Sequence, residues 1–210
     1  MHRLIAILAL SALVAACESG THPVPSPVPT PTPHTEPTAA VLQSTDIPAG
    51  LNACLGSGPI DVYLTTLAQA DAALAARVGE QWQQLQVAGA TAGAVSVFTA
   101  SLAACKAELG STTNIKSIAS FVAVFENSGQ ADRAWGSGVF SFVPPAPGQL
   151  LPGVTRGTVT GLGLSSWTYD RAPARLAGWH KSVFVALVVA SNLDAAAFKA
   201  ATTAVDARLN

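Results

Sequence analysis

The side chains able to carry chemistry are few and scattered. The chain holds four histidines, and beyond residue 40 only His180 is present. A hydrolytic triad would need His180 beside a nucleophilic serine and an acid. Gly136-Ser137-Gly138 and Gly56-Ser57-Gly58 lack the Gly-x-Ser-x-Gly spacing of a nucleophile elbow. His180, next to Lys181 at the expected tip of a hairpin, therefore reads as an exposed turn histidine. The acids Asp61, Asp71, Glu80, Asp132, Asp170, Asp194 and Asp206 match no calcium loop. They read as solvent-facing or helix-capping, Asp194 through the helix it precedes. Gly161-Leu162-Gly163 is a turn signal, and Gly-Lys-Ser/Thr does not occur, so no phosphate loop is expected. No catalytic residue, metal site or cofactor is expected.

One constellation suggests binding. Ser166–Arg171 and Arg175–His180 read as antiparallel strands joined at Ala172-Pro173-Ala174. A turn centred on Pro173 puts Arg171 opposite Arg175, Tyr169 opposite Ala177 and Trp167 opposite Trp179. Trp167, Tyr169, Arg171, Arg175 and Trp179 would then share one face, able to stack on a sugar or grip an anionic group. The alternative is that the aromatics are core beneath the last helix, with the arginines at the rim. A register change of one residue would move every partner to the other face.

The N-terminus carries an address. After Met1-His2-Arg3, residues Leu4 to Ala16 have no charge. That run is shorter than the roughly 20 apolar residues a bilayer span needs, and it fits the apolar part of a signal peptide. It ends Val14-Ala15-Ala16-Cys17, which resembles the bacterial lipobox. The resemblance implies removal of residues 1–16, a diacylglycerol on Cys17 and usually further acylation (palmitate or a similar chain). The alternative is an ordinary cleaved signal with Cys17 left as a spare thiol. At about 0.8 kcal/mol per buried methylene, two or three acyl chains anchor firmly where one does not. The expected location is the extracytoplasmic face of a cell membrane, with that membrane as a partner through the lipid. Glu18 follows the cysteine, in place of the Asp that often marks inner-membrane retention in Gram-negative cells.

Residues 17–40 read as a lipidated cysteine plus a disordered Pro/Thr-rich linker. Proline takes every second position from Pro23 to Pro33, which favours a semi-rigid polyproline-II rod of roughly 35 Å at about 3.1 Å per residue. His22 and His34 lie too far apart on such a rod to chelate one metal.

Residues 41–210 are long enough for one domain with a full core. The whole chain is 50% hydrophobic, 11% charged and carries a formal net charge of -1. It has no basic stripe, so no nucleic-acid partner is expected. Outside the reducing cytosol, Cys54 and Cys105 are expected to pair. They would close a loop of about 50 residues, which stabilises by roughly 4 kcal/mol at most. Apolar periodicity predicts two helices, or one bent one, over 59–88, interrupted at Asp71. Strands follow over Val95–Thr99, Ile115–Phe125, Thr155–Thr160 and Val183–Ala190. Helical segments are expected over Leu102–Leu109, after Asn127-x-x-Gln130, and from a capping box at Ser191-x-x-Asp194 to about Leu209. The run Val183 to Val189 is apolar on both faces and so central. The class is α+β, a mostly antiparallel sheet with helices packed on it, in a single domain.

Trp179-His180-Lys181-Ser182-Val183 through Val189, the helix ending Val205-Asp206-Ala207-Arg208-Leu209, and the strand–helix Phe121–Trp135 resemble the PknH-type extracellular sensor domains and related actinobacterial lipoproteins. The resemblance implies an α+β fold with a central cleft for a ligand. That family usually carries two disulfides, whereas this domain has cysteines for one. The expected function is a non-catalytic, sensor-like domain that binds a small molecule, glycan or protein. The alternatives are an envelope hydrolase working through carboxylates, and an envelope structural or assembly factor.

Overall fold

The computed structural model describes residues 35–148 and 151–210. Cys17, the apolar run before it and the rod from Pro23 to Pro33 lie outside the described residues. The strands are β1 (Asn52–Ala53), β2 (Gly58–Pro59), β3 (Ala90–Thr99), β4 (Ser117–Phe125), β5 (Val154–Arg156), β6 (Ser166–Arg171), β7 (Ala174–Lys181) and β8 (Phe184–Ser191). They form one sheet in the order β1-β3-β4-β8-β7-β6-β5, with β2 also paired to β3. Every pairing is antiparallel. The described helices are α1 (Pro37–Ala40), α2 (Ile60–Ala70), α3 (Ala72–Val87), α4 (Ser128–Ser137) and α5 (Ala195–Arg208). The fold is α+β, as the periodicity predicts.

Both faces of the sheet are covered, which is why its central strands are largely apolar. All of β4 and β8 is buried. Phe121, Val185 and Leu187 point into the core beneath α2, α3 and α4. Val122, Ala186 and Val188 point into a second core beneath α5 and the α1 segment. Burying each large aliphatic or aromatic side chain contributes about 1.5–3 kcal/mol.

Polar residues set the helix boundaries. Asp71 ends α2 and starts α3, its carboxylate accepting from Leu74 N at 2.9 Å. Asn127 caps α4 by accepting from Gln130 N at 3.0 Å. Asp194 is itself the N-cap of α5, accepting from Ala197 N at 2.7 Å. The expected box starting at Ser191 is therefore not the device: Ser191 still belongs to β8.

Other expectations shift for local reasons. The strand read from Val95 begins at Ala90, because β4 supplies pairing partners back to that residue, with one irregularity at Thr91. The stretch Leu102–Leu109 is not an α-helix but two 3₁₀ turns, Leu102–Lys106 and Glu108–Gly110, with Leu109 at φ 48°. The Cys54–Cys105 disulfide (Cα–Cα 5.6 Å) and a bond from Leu109 N to the Tyr63 hydroxyl hold it in place. The strand read over Thr155–Thr160 stops at Arg156, where a 3₁₀ turn follows. There the Thr160 hydroxyl donates to Gly157 O and lies 2.6 Å from Ser166 Oγ, local bonding that competes with a strand ladder.

Packed structure also begins before residue 41. Pro37 and Ala40 are buried in α1, and Val41 and Leu42 are buried beside them. Leu42 N donates to Ser120 Oγ at 2.8 Å, and that hydroxyl lies 3.0 Å from Ser96 Oγ. Two hydroxyls inside an apolar layer thus satisfy each other and the incoming chain.

Candidate functional site

The β6–β7 hairpin corrects the predicted aromatic face. Its loop is Ala172-Pro173 alone, so Arg171 pairs with Ala174, Tyr169 with Leu176 and Trp167 with Gly178, while Ser166 pairs with Trp179 and Asp170 with Arg175. The pairing differs from the expectation by one residue, which turns all of β7 over relative to β6. Trp167, Tyr169 and Arg171 stay on one face, and Arg175 and Trp179 go to the other. Trp179 is fully buried beneath α5, its Nε1 donating to Asp206 Oδ1 at 3.1 Å. Trp167 is buried too, its indole lying across Gly178, where a Cβ would come within 2.9 Å of Nε1. Arg175 is held by Asp170, at 2.6 Å, and by the Leu193 carbonyl. Tyr169 is half-buried and Arg171 exposed.

His180 is corrected as well. It is not an exposed turn residue but lies within β7 with a side chain only 12% exposed. Its Nδ1 is 3.5 Å from Asp132 Oδ1 on α4, and its Nε2 donates to the Ser182 carbonyl at 2.6 Å. The acid–histidine pair therefore ends on a main-chain oxygen and not on a hydroxyl it could activate.

The side chains best placed to meet a ligand lie elsewhere, in a cleft of about 430 Å³ between α3 and α4. Its α3 wall is a polar stripe, Arg77, Gln81 and Gln84, beside the core stripe Leu74, Val78, Trp82 and Leu85. Arg133 and Ser137, one turn apart, form the α4 wall. Leu85, Ala134 and Phe140 supply an apolar floor. This volume lies within the roughly 300–1,000 Å³ of small-molecule sites.

A tight turn closes the cleft. Gly138 ends α4 at φ 99°, and a Cβ there would meet Val143 Cγ2 at 2.8 Å. Val139 and Phe142 then exchange backbone bonds of 3.2 and 2.8 Å across Phe140 and Ser141, whose φ values are 45° and 64°. Two central residues at positive φ make the type I′ pattern, which favours Asn-Gly. The strain of holding Phe-Ser there is opposed by packing. Phe140 meets Phe121 edge-on at 4.6 Å between centroids, and Phe121 meets Trp82 in the same way at 6.2 Å. The turn leaves Ser141 accepting from Gln81 Nε2 at 2.9 Å.

The cleft has unused bonding capacity. Gln81 Oε1 is one of a few buried side-chain polar atoms that have no partner among the described residues. Arg133 has no ion pair among them, whereas Arg77 is bound to Glu108 at 2.7 Å. Two other concavities are less equipped. The groove between α2 and α3, of the same volume of about 430 Å³ but more open, is lined by Asp61 and by Glu80, which it shares with the α3–α4 cleft, both exposed. A hollow of about 260 Å³ lies by Pro48–Leu51 and Asn192, whose amide is already engaged by the Thr113 and Ile115 carbonyls. Trp167, Tyr169 and Arg171 line none of the three. Among the described residues, no group of three or more His, Cys, Asp or Glu is placed to hold a metal ion, and no helix is long and apolar enough to cross a membrane.

Gln81, Gln84 and Arg133 were not legible as site residues. The signal available was the polar stripe at i, i+4 and i+7 from Arg77, which becomes a cleft wall only once α4 is seen to stand opposite. Compared with known protein families, curated proteins and solved structures, the chain gives no match.

Proposed function

We propose that this protein is a lipoprotein, anchored through Cys17 on the extracytoplasmic face of a cell membrane, whose domain binds a ligand in the α3–α4 cleft without transforming it. The observation that carries the reading is the cleft itself: a concavity of small-molecule size that brings the exposed Arg133 guanidinium and the Gln81 carboxamide together above an apolar floor. The disulfide agrees with an oxidising compartment. The lipobox Val14-Ala15-Ala16-Cys17 supports the anchor, and the proline rod that follows would set the stand-off from the membrane. The carboxylate-hydrolase alternative would place its two acids in one shielded cleft. The acids that do share a concavity, Asp61 and Glu80, are both exposed.

Native mass spectrometry of the detergent-extracted lipoprotein tests this reading. The expected spectrum shows a non-covalent adduct that is lost from an Arg133→Leu, Gln81→Met double variant. An adduct retained by that variant, or turnover of envelope material by the wild-type protein, would contradict it.

A further inference from the structure

We propose that the cleft between α3 and α4 takes a polyhydroxylated ligand, a saccharide or cyclitol of one or two rings. This inference rests on the ligand-binding reading above and names the class of ligand.

The walls offer planar groups that carry two adjacent bonding atoms: the Arg133 guanidinium, the Gln81 and Gln84 carboxamides and the Glu80 carboxylate. Vicinal hydroxyls on a ring present two oxygens at matching spacing, and each hydroxyl both donates and accepts. A ligand of that kind can serve a guanidinium, which only donates, and a carboxylate, which only accepts, at the same time. A simple anion could satisfy Arg133 but would be repelled by Glu80.

Charge points the same way. Arg77 is already neutralised by Glu108, and the two remaining charged side chains of the lining, Arg133 and Glu80, are of opposite sign. The site therefore has no net charge with which to select an ion. An extended peptide prefers a strand edge or an apolar groove, and this cleft is walled by two helices with mostly polar side chains. The apolar floor of Leu85, Ala134 and Phe140 suits the carbon face of a sugar ring.

Gln81 links the cleft wall to the turn that closes it. Its Nε2 reaches Ser141 while Oε1 is buried without a donor. The last torsion of a glutamine is soft, so the carboxamide can swing to accept a ligand hydroxyl entering beside Ser141 and gain the bond it lacks. A buried acceptor left without a donor is costly, which favours this exchange.

Saturation-transfer NMR on the full-length lipoprotein in a deuterated detergent without a sugar headgroup tests the proposal, with maltose, chitobiose and myo-inositol as probes. At least one probe is expected to bind with Kd below about 10 mM. Gln81→Met and Arg133→Leu should each weaken it about five-fold, the effect of losing one hydrogen bond. Val87→Ala, on the exposed end of α3, should not. Sulfate at an excess over the sugar should leave the signal unchanged. The proposal is overturned if no probe shows transfer at about 50 mM, if both cleft variants bind as the wild type does, or if sulfate displaces the sugar. Should the sugars fail while the native adduct is still lost from the double variant, the polyol class falls and the ligand-binding reading stands.

Discussion

Arg208 and Asp46 stand 162 residues apart in sequence and meet in a two-point ion pair, with Nη1 donating to Oδ2 and Nη2 to Oδ1, both at 2.7 Å. The same guanidinium reaches the Val41 carbonyl at 3.3 Å. Asp46 also accepts from Gln43 N at 2.7 Å. The last turn of α5 thus clamps the segment Val41–Asp46 near the N-terminal end of the described residues. Lys181 braces that turn from the sheet, its Nζ donating to Asp206 O at 2.8 Å and Oδ2 at 3.2 Å.

Breaking the clamp should loosen the Val41–Asp46 segment before the sheet. Arg208→Met leaves the Asp46 carboxylate, only 8% exposed, without its cation. The expected cost is about 1.5–3 kcal/mol, the range for a hydrogen bond to a charged group. Urea unfolding of Arg208→Met, Asp46→Asn and the double variant checks it, with a coupling energy of at least about 1 kcal/mol expected from the cycle.

The clamp also predicts how stability follows pH. Burial pushes the Asp46 carboxyl up, but the hydrogen bonds from Arg208 and from Gln43 N, with the Arg208 charge, outweigh it and hold the group below its ordinary value. The unfolded chain therefore takes up the proton first. The pair's contribution is complete above the unfolded value of about 3.9, and it is lost as pH falls through the lower folded value. Between pH 6 and pH 3 the wild type should lose more stability than Arg208→Met. Equal losses measured by denaturant titration would assign the acid sensitivity to other carboxylates.

The two hairpin tryptophans should behave as core and not as a shared binding surface. Trp179→Ala is expected to destabilise by about 3–5 kcal/mol, because the indole is fully buried and bonded to Asp206. Gly178→Ala should cost about 1–3 kcal/mol by driving a methyl group into the Trp167 indole. Thermal unfolding of the single variants checks both. A Trp179→Ala protein as stable as wild type would contradict the register described for β6 and β7.

The proposed lipid anchor predicts a mature N-terminus at Cys17. Growth with labelled palmitate should label the protein, and Cys17→Ser should abolish both the label and the detergent-phase partition. A mature chain that begins elsewhere, or an unlabelled Cys17, would remove the proposed location.

Much of the fold could be read from the sequence because its signals are local. Asp71 and Asn127 act where their types and positions say, and the unbroken apolar run after Val183 is central because helices cover both faces. The Cys54–Cys105 bond followed from counting the cysteines of a chain expected to be exported. Register was not legible: whether Arg171 faces Arg175 or Ala174 depends on one loop residue, and both pairings look reasonable in the sequence. The cleft was hidden for a different reason. Phe140 and Ser141 are unlike the residues that announce a type I′ turn, and only the Phe140–Phe121 contact explains why the chain turns there. His180 misled because its neighbour Lys181 marks a strand end, while the Asp132 that covers it comes from a helix about fifty residues earlier.

Hydrogen–deuterium exchange of the full-length protein, with and without the low-mass fraction of its own cells' envelope, is the sharpest test of the proposed ligand site. Added protection is expected only in the second half of α3, in α4 and in the turn at Val139–Phe142. Protection centred on the β6–β7 hairpin, or none anywhere, would contradict it.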